Sequence, residues 1–341
     1  MHIAIDAAGG DFAPQNVVGG ALVAARHLGF GLTFVGAPDA IEAELARHGE
    51  VAGADLRIVP APDVVGMGEV PVAALRQKSG ASVRVAAETV ARGEAAAFFS
   101  AGNTGATLLA SCGAFGMLNG VDRPALATTI PTLRSEAVLL DAGANVECRP
   151  LHLVQFAAMG TVYARLALGV LNPTVGLLST GEEATKGNDL TRDAHRLLSA
   201  SKLNFIGNIE ARDVYTGQAE VIVCDGFTGN IALKVSEGLV EVVEELLREE
   251  LTRTFTTRIG FLLSRRAFRR FRRRVDYSEY GGAPLLGVAG LSIVGHGRSS
   301  TKAVRNAVVM AYRFASQNFV ARVAREIEAI SPAVKSKNNG T

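Results

Sequence analysis

Six glycine-bearing polar loops, each directly after an apolar strand-like run, constrain the fold of this chain more than any other feature. They occupy residues 6–11, 100–106, 140–145, 179–189, 223–230 and 294–300, with the sequences DAAGGD, SAGNTGA, LDAGAN, STGEEATKGND, VCDGFTGN and VGHGRSS. A strand that leads through such a loop into a helix presents free backbone N–H groups, which suit an anion such as phosphate. Because parallel α/β sheets bind ligands at their carboxyl edge, we expect these loops to share one cleft.

The runs before and between these loops alternate between strand and helix patterns. Short apolar runs predict strands at His2–Asp6, Leu32–Gly36, Leu56–Val59, Ala97–Ser100, Ala137–Asp141, Thr174–Ser179, Asn204–Gly207, Val221–Asp225 and Leu291–Gly295. Alanine-rich stretches of helical period predict helices at Asn16–Leu28, Asp39–Arg47, Ala81–Arg92, Gly105–Phe115, Leu151–Ala167, Leu190–Ser199 and Gly229–Leu251. This alternation predicts an α/β fold with a doubly wound, mostly parallel, Rossmann-like sheet and helices on both faces.

Composition excludes several classes of protein. With 341 residues, 48% hydrophobic and 20% charged, the chain has ample material for a large core. The scattered cysteines and histidines predict neither a disulfide framework nor a zinc site. The start lacks a signal-peptide pattern and no apolar run is long enough to span a membrane, so we expect a cytoplasmic protein.

We expect one α/β domain over residues 1–330, from which residues 229–280 extend as a helical hairpin. The last stretch, residues 331–341, is polar and ends in SKNNGT. We expect it to be a disordered tail.

An arginine-rich segment, Leu251–Val275, departs from the α/β pattern. It has no acidic residue and nine arginines, and apolar residues recur on one helical face. We predict two helical stretches broken near Gly260 or Ser264, and a surface for anionic lipid or an acidic protein. The alternative is an exposed helix whose aromatic side chains pack on the body of the protein. The surface residues would be Phe255, Ile259, Leu262, Leu263, Arg265, Arg266 and Arg269.

Nucleic acid is a weaker interpretation of the same arginines. The formal net charge is only +2, and no recognised nucleic-acid-binding fold accompanies the segment. We therefore expect no nucleic-acid partner.

The loops supply candidate ligands for phosphate and for a developing oxyanion. These are Asp6, Gly9, Gly10, Asp11, Gly102, Asn103, Thr104, Gly105, Asn145, Thr228, His296, Arg298 and Ser299, and Lys186 adds a compact cation. Each loop is equally typical of an ordinary turn and helix cap. His296 is a candidate general base, although a single loop histidine is more often structural. Cys224 lies in an apolar strand and is better interpreted as a small buried hydrophobic residue than as a nucleophile.

The order of DAAGGDFAP, AGNTGA, LLDAGAN, STGEEATKGND, CDGFTGN and HGRSS resembles the PlsX family, the acyl-acyl carrier protein:phosphate acyltransferases of bacterial phospholipid synthesis. The resemblance runs from the first strand to about Ile330, and Ala8 replaces the methionine usual in the first motif. It implies transfer of a fatty acyl group from an acyl carrier protein to inorganic phosphate, giving acyl phosphate, with no cofactor and no metal.

The resemblance also implies roles and partners. Lys186 would hold phosphate or the carbonyl oxygen, Asp225 would orient Lys186 or accept a proton from phosphate, and Asn230 would be a supporting donor. The partners would be acyl carrier protein, an anionic membrane at its inner face, a glycerol-3-phosphate acyltransferase downstream, and a second copy in a homodimer.

Other activities compete with this interpretation. A nicotinamide-dependent dehydrogenase is possible because the fold resembles the isocitrate and isopropylmalate dehydrogenase group, but a clear G-x-G-x-x-G is missing. A phosphotransacetylase that uses coenzyme A would share the phosphate loops. A non-catalytic membrane-surface scaffold would need only the arginine-rich segment.

Overall fold

The computed structural model describes residues 1–49, 55–275 and 281–330, so the expected tail lies outside the described residues. Within these ranges the strands are β1 (His2–Asp6), β2 (Gly31–Gly36), β3 (Leu56–Pro60), β4 (Ala97–Ser100), β5 (Ala125–Leu126), β6 (Thr128–Pro131), β7 (Glu136–Leu140), β8 (Val175–Leu178), β9 (Phe205–Ile209), β10 (Val221–Val223), β11 (Ala283–Leu286) and β12 (Ser292–Val294).

The helices cover both long and short stretches of the same ranges. They are α1 (Gln15–Leu28), α2 (Pro38–His48), α3 (Pro71–Gln77), α4 (Ser82–Ala91), α5 (Thr104–Phe115), α6 (Pro150–Ala167), α7 (Asp189–Ser199), α8 (Gly226–Arg253), α9 (Phe255–Val275), α10 (Thr301–Ser316) and α11 (Phe319–Ile330), with a 3-10 turn at Ala211–Tyr215.

The strands form two sheets rather than one. The first has the order β3-β2-β1-β4-β12-β11-β5 and the second β6-β7-β10-β8-β9. Most neighbours are parallel; the antiparallel pairs are β11 with β12, β11 with β5 and β6 with β7. The predicted α/β class with a mostly parallel, Rossmann-like arrangement is confirmed. The division into two sheets was not predicted.

The parallel order places the glycine loops at the carboxyl edges of two sheets, in place of the single sheet edge that was expected. In the first sheet β1, β4 and β12 are neighbours, so the loops at 6–11, 100–106 and 294–300 leave the same edge. In the second sheet β7, β10 and β8 are neighbours, which brings together the loops at 140–145, 223–230 and 179–189. Two groups of three loops therefore carry the candidate residues.

Helix α8 packs closely on the second sheet. A methyl group built on Gly229 would lie 1.9 Å from the carbonyl oxygen of Asp141 at the end of β7. Gly226 is similarly confined, because its methyl group would lie 2.7 Å from the carbonyl oxygen of Asn145. The two glycines allow the first turn of α8 to approach the loop after β7.

The arginine-rich segment breaks at a different residue from the one predicted. Helix α8 ends at Arg253 and α9 begins at Phe255, while Gly260 and Ser264 lie inside α9. Thr254 is extended, and its hydroxyl accepts a hydrogen bond from the backbone N–H of Thr257 at 3.2 Å. Since a capping threonine satisfies the free N–H groups of a helix start, the break falls at Thr254 and glycine is tolerated within the helix.

None of the helices in the described ranges is both long and apolar enough to cross a bilayer.

The close approach at Gly229 predicts a stability difference between two alanine variants of α8. Gly229→Ala should destabilise the protein by about 1–3 kcal/mol, because the added methyl group overlaps the Asp141 carbonyl. Gly238→Ala is the matched control, since nothing lies within 4 Å of its added methyl group; it should stabilise α8 by up to about 1 kcal/mol. Denaturant unfolding of both variants measures the difference, and equal stabilities would contradict the packing described here.

Candidate active site

The loop after β1 is anchored by the buried carboxylate of Asp6. The Ser100 hydroxyl donates to Asp6 Oδ2 at 2.6 Å, and the Gly102 backbone N–H donates to Ser100 Oγ at 3.1 Å. Burial raises the pKa of Asp6, and the hydrogen bond from Ser100 acts in the opposite direction. A methyl group on Gly9 would lie 2.5 Å from Asp6 Oδ2, so Gly9 permits this close contact. The loop after β1 is thus held from its buried side by Asp6, Gly9 and Gly102.

Both the oxygen and the nitrogen of the Asn103 side-chain amide form hydrogen bonds within the protein. Its Oδ1 accepts from the Ala106 backbone N–H at 3.1 Å and caps α5. Its Nδ2 donates to the carbonyl oxygens of Gly66, Met67 and Glu69 at 3.2, 3.2 and 3.1 Å. A methyl group added to the nearby Gly105 would lie 2.6 Å from Cγ of Pro71.

The loop after β7 is organised by Asp141, which the sequence analysis did not single out. Its Oδ1 accepts from the backbone N–H groups of Leu126, Gly143 and Ala144 at 3.0, 3.1 and 2.9 Å. Its Oδ2 accepts from the backbone and side-chain nitrogens of Asn145 at 2.7 and 2.8 Å. Burial raises its pKa while these donors act in the opposite direction. Asn145 is therefore committed to Asp141.

Asp225 is the N-cap of α8. Its Oδ1 accepts from the Thr228 backbone N–H at 2.8 Å and its Oδ2 accepts from the Thr228 hydroxyl at 2.8 Å. The carboxylate is half-buried at the edge of the second sheet, next to the loop of Lys186. Asp225 and Thr228 together fix the first turn that presents Asn230.

Lys186 lies in the loop between β8 and α7, with an exposed side chain. Its backbone N–H donates to the Glu183 carbonyl oxygen at 3.0 Å. Across the described ranges of the chain, no ion pair joins Lys186 to Asp225 or to any other carboxylate. The two residues share the carboxyl edge of the second sheet, and the roles predicted for them stay predictions.

A cavity of about 1080 Å³ lies between the two groups of loops. The predicted site residues that line it are Asp11, Thr104, Asn230, His296, Arg298 and Ser299. The first loop is fixed to the last one by the Asp11 backbone N–H, which donates to the Gly297 carbonyl oxygen at 2.8 Å. Gly10 has a φ of 108°, a conformation that favours glycine.

The remaining predicted ligands are not among the residues that line the cavity. They are Lys186, Asp225, Asp6, Gly9, Gly10, Gly102, Asn103, Gly105, Asn145 and Thr228. Most of them support the loops through the hydrogen bonds and close contacts described above.

Helix α8 contributes polar groups that the sequence analysis missed. Lys234 Nζ lies 2.9 Å from His296 Nε2 and 3.1 Å from Glu237 Oε2, and all three side chains line the cavity. The signal in the sequence was the spacing of Asn230, Lys234 and Glu237, which places them on one face of a helix. In a sequence alone this pattern is indistinguishable from a solvent-exposed ion pair.

The loop of His296 opens helix α10. The hydroxyl of Ser300 accepts from the Ala303 backbone N–H at 3.2 Å as the N-cap, and the Ser299 hydroxyl donates to the His296 carbonyl oxygen at 2.6 Å. The Arg298 backbone N–H donates to His296 Nδ1 at 3.2 Å. In the part of the chain that the structure describes, the Arg298 guanidinium has no carboxylate partner within ion-pair distance. It is available to an anion in the cavity.

The surroundings of His296 favour its neutral form. Protein atoms around the ring displace part of its hydration, which lowers its pKa, and the positive charges of Lys234 and Arg298 lower it further. Glu237 and Asp11 oppose this effect without reversing it. The ring remains exposed, so it can contact a ligand as a proton acceptor.

The sequence matches the model of a family described as fatty acid synthesis protein over residues 1–322. It is also 47% identical over 340 residues to a phosphate acyltransferase of Geobacter sp. (strain M21), covering 100% of this chain and 96% of that protein. A phosphate acyltransferase of Heliobacterium modesticaldum is 48% identical over 327 residues, covering 96% and 98%. The chain belongs to the PlsX family of phosphate acyltransferases.

Solved structures show the same fold in more distant proteins. A phosphotransacetylase from Streptococcus pyogenes aligns with a TM-score of 0.62 at 15% identity, covering 93% of this chain and 94% of that one. A 4-hydroxythreonine-4-phosphate dehydrogenase from Klebsiella pneumoniae aligns with a TM-score of 0.50 at 13% identity, covering 92% and 99%. At these identities the likeness shows the fold alone. The transferase assignment rests on the much more similar acyltransferases.

Proposed function

We propose that the protein transfers a long-chain fatty acyl group from acyl carrier protein to inorganic phosphate, releasing acyl phosphate for glycerolipid synthesis. The observation that carries the proposal is the cavity described above. Its lining combines anion-binding groups, among them Arg298 and Lys234, with apolar side chains of β5, β6, α8 and α9. A phosphate alone would need only a small part of about 1080 Å³.

Helix α8 suggests how the two halves of the substrate are arranged. Its residues that line the cavity run from Asn230, Lys234 and Glu237 to Leu239 and Val240. Since a helix rises 1.5 Å per residue, Asn230 and Val240 are separated by about 15 Å along the axis. The acyl chain would follow the later residues, and the thioester carbon would lie near the earlier ones.

The chemistry requires no nucleophile from the protein. Phosphate supplies the attacking oxygen, and a thiol with a pKa of about 8.5 leaves readily. The protein would hold the two reactants together and stabilise the oxyanion that develops on the carbonyl. Lys186, Asp225 and Asn230 would serve this reaction at the edge of the second sheet, with Lys186 moving toward phosphate and Asp225 fixing the first turn of α8.

The arginine-rich segment supports a proposal of peripheral membrane contact at the inner face. Phe255 is 78% exposed and Leu263 81% exposed, so they do not pack on the body of the protein. Phe261 and Phe268 instead pack on each other, with ring centroids 5.3 Å apart. Exposed apolar side chains beside arginines suit insertion among anionic headgroups.

A second copy of the chain would cover α8. Its exposed apolar residues recur every three or four positions and form a stripe along the helix: Phe227, Ile231, Val235, Leu239, Val242 and Leu246. Such a stripe is large for a monomer surface and suits a two-fold partner. We therefore propose a homodimer.

Product trapping tests the proposed activity. The protein is incubated with phosphate and either a long-chain acyl carrier protein or the corresponding acyl-coenzyme A, and acyl phosphate is trapped with hydroxylamine. We expect hydroxamate with the carrier protein, and a loss on the order of tenfold or more in Lys186→Ala and Asn230→Ala. Lys202→Ala, which removes another exposed lysine, is the control and should keep full activity. Hydroxamate with coenzyme A only would contradict the proposed donor.

Vesicle sedimentation tests the membrane proposal. Leu262→Glu/Leu263→Glu should abolish binding to anionic vesicles, because carboxylates replace two strongly exposed apolar residues of α9. High salt should weaken binding of the unmodified protein by screening the arginines. Leu171→Glu is the matched control, being 90% exposed outside α9, and should bind normally. If the double variant binds vesicles but loses activity with acyl carrier protein, the segment is instead a carrier-docking surface.

A further inference from the structure

The loop between β8 and α7, residues 179–188, carries Lys186 and is held by a side chain of the neighbouring strand β9. That side chain is Asn208, which is buried and whose Nδ2 donates to the carbonyl oxygen of Glu183 at 2.9 Å. The same oxygen accepts the backbone N–H of Lys186 at 3.0 Å, which closes a turn over residues 183–186. Both lone pairs of the Glu183 carbonyl are therefore used. Asn208 thus fixes the turn that ends at Lys186.

Asn208 is itself held in one orientation by helix α7. Its Oδ1 lies 2.9 Å from Nδ1 of His195. Because an amide oxygen only accepts hydrogen bonds, Nδ1 of His195 carries the proton and donates it to Asn208. The His195 ring also packs edge-on against Phe205, with ring centroids 5.1 Å apart. The oxygen and the nitrogen of the Asn208 amide are both paired, and the side chain links α7 to the loop through β9.

The two ends of the loop are attached to the same elements. The backbone N–H of Ser179 donates to the Ile209 carbonyl oxygen at 2.9 Å, next to Asn208 on β9. The carbonyl oxygen of Gly187 accepts from Nη1 of Arg192 on α7 at 2.6 Å. Since Asn208 holds the middle of the loop, the backbone around the lysine is fixed at three points. The lysine side chain is exposed, so it can move while its backbone stays in place.

We propose that Asn208 and His195 are positioning residues for Lys186, an inference that rests on the proposed role of Lys186 in acyl transfer. Neither residue is among those that line the cavity, so they act through the loop and not on a reactant. Loss of the hydrogen bond from Asn208 to Glu183 frees the turn, and the ammonium group of Lys186 then spends less time beside the reacting oxygen. A displacement of about 1 Å at a reacting centre costs as much as about a hundredfold in rate.

The first experiment measures kcat for acyl phosphate formation in variants of this path. Asn208→Asp removes the donor at nearly constant size, because a carboxylate oxygen then faces the Glu183 carbonyl. We expect a loss of about tenfold or more. His195→Leu should cause a smaller loss, whereas His195→Asn, whose Nδ2 can replace Nδ1 of the ring, should keep most of the activity. Asn204→Asp is the control: Asn204 is exposed directly before β9, donates to the Asn172 carbonyl oxygen at 3.3 Å, and should be replaceable without effect.

A double-mutant cycle distinguishes positioning of Lys186 from a general structural role. If Asn208 acts through Lys186, Asn208→Asp should lower kcat by no more than about twofold when Lys186 is already replaced by alanine. A loss as large as in the unmodified protein would overturn the proposal, because the two residues would then act independently. Full activity of Asn208→Asp would overturn it as well.

Cleavage by a lysine-specific protease reports on the loop without substrate or turnover. Proteases cut where the backbone opens locally, so Asn208→Asp and His195→Leu should speed cleavage after Lys186 severalfold. Cleavage after Lys202, which is exposed between α7 and β9, is the internal reference and should keep its rate. Mass spectrometry of the fragments measures both rates.

The cleavage rates also distinguish failure of this inference from failure of the proposed function. An unchanged rate after Lys186, or an equal increase after Lys186 and Lys202, would overturn the positioning role even if the unmodified protein makes acyl phosphate. If the unmodified protein makes none, the proposed function fails and the positioning role fails with it. The rate after Lys186 would then still measure whether Asn208 holds the loop.

Discussion

The carboxylate of Asp141 is the interaction on which the rest of the site depends. Its two oxygens accept from five nitrogens, which join β5 to the loop after β7. The carbonyl of the same residue is the surface on which Gly229 packs, so Asp141 also sets the position of the first turn of α8. A buried carboxylate is costly unless such donors satisfy it, and here they fix three segments in one arrangement.

The position of α8 decides which groups can meet across the cleft. Because its first turn is fixed, α8 presents Asn230, Lys234 and Glu237 on the cavity wall, where Lys234 contacts His296. The other half of the contact is held by Ser300 and Ser299, which cap α10 and tie the loop to its own backbone. The proposed chemistry therefore relies on preformed geometry more than on any single reactive group.

The sequence predicted those parts of the fold that local chemistry determines. A glycine-rich loop with a capping residue after an apolar run is recognisable, as at Asp225 and Asn103, and these strand–loop–helix units are confirmed. The strands β5, β6 and β11 were missed because each has only two to four residues. β6 pairs antiparallel with its neighbour β7, whereas β5 pairs with β11 from a distant part of the chain, a long-range contact with no local sequence pattern.

The site, like the fold, was predictable only where local chemistry determines it. Asn103 and Asn145 are residues of a type that often binds anions. Their side-chain amides instead donate hydrogen bonds to backbone carbonyls and to Asp141. Lys234 is the opposite case. In the sequence it resembles a surface residue of a long helix, but the tertiary structure places its Nζ 2.9 Å from Nε2 of His296. Residue type identifies which groups are able to act, and only packing decides which of them face the cavity.

Direct attack by phosphate is the central claim of this account, and release of free thiol in the absence of phosphate tests it most directly. The protein is mixed with a stoichiometric amount of acyl carrier protein that bears a long-chain acyl group, and the release of free thiol is followed. The mass of the intact protein is then measured by mass spectrometry. We expect no thiol above the uncatalysed background and no added acyl mass until phosphate is supplied. A burst of about one thiol per protein with a stable acyl adduct on a cysteine or serine would contradict it.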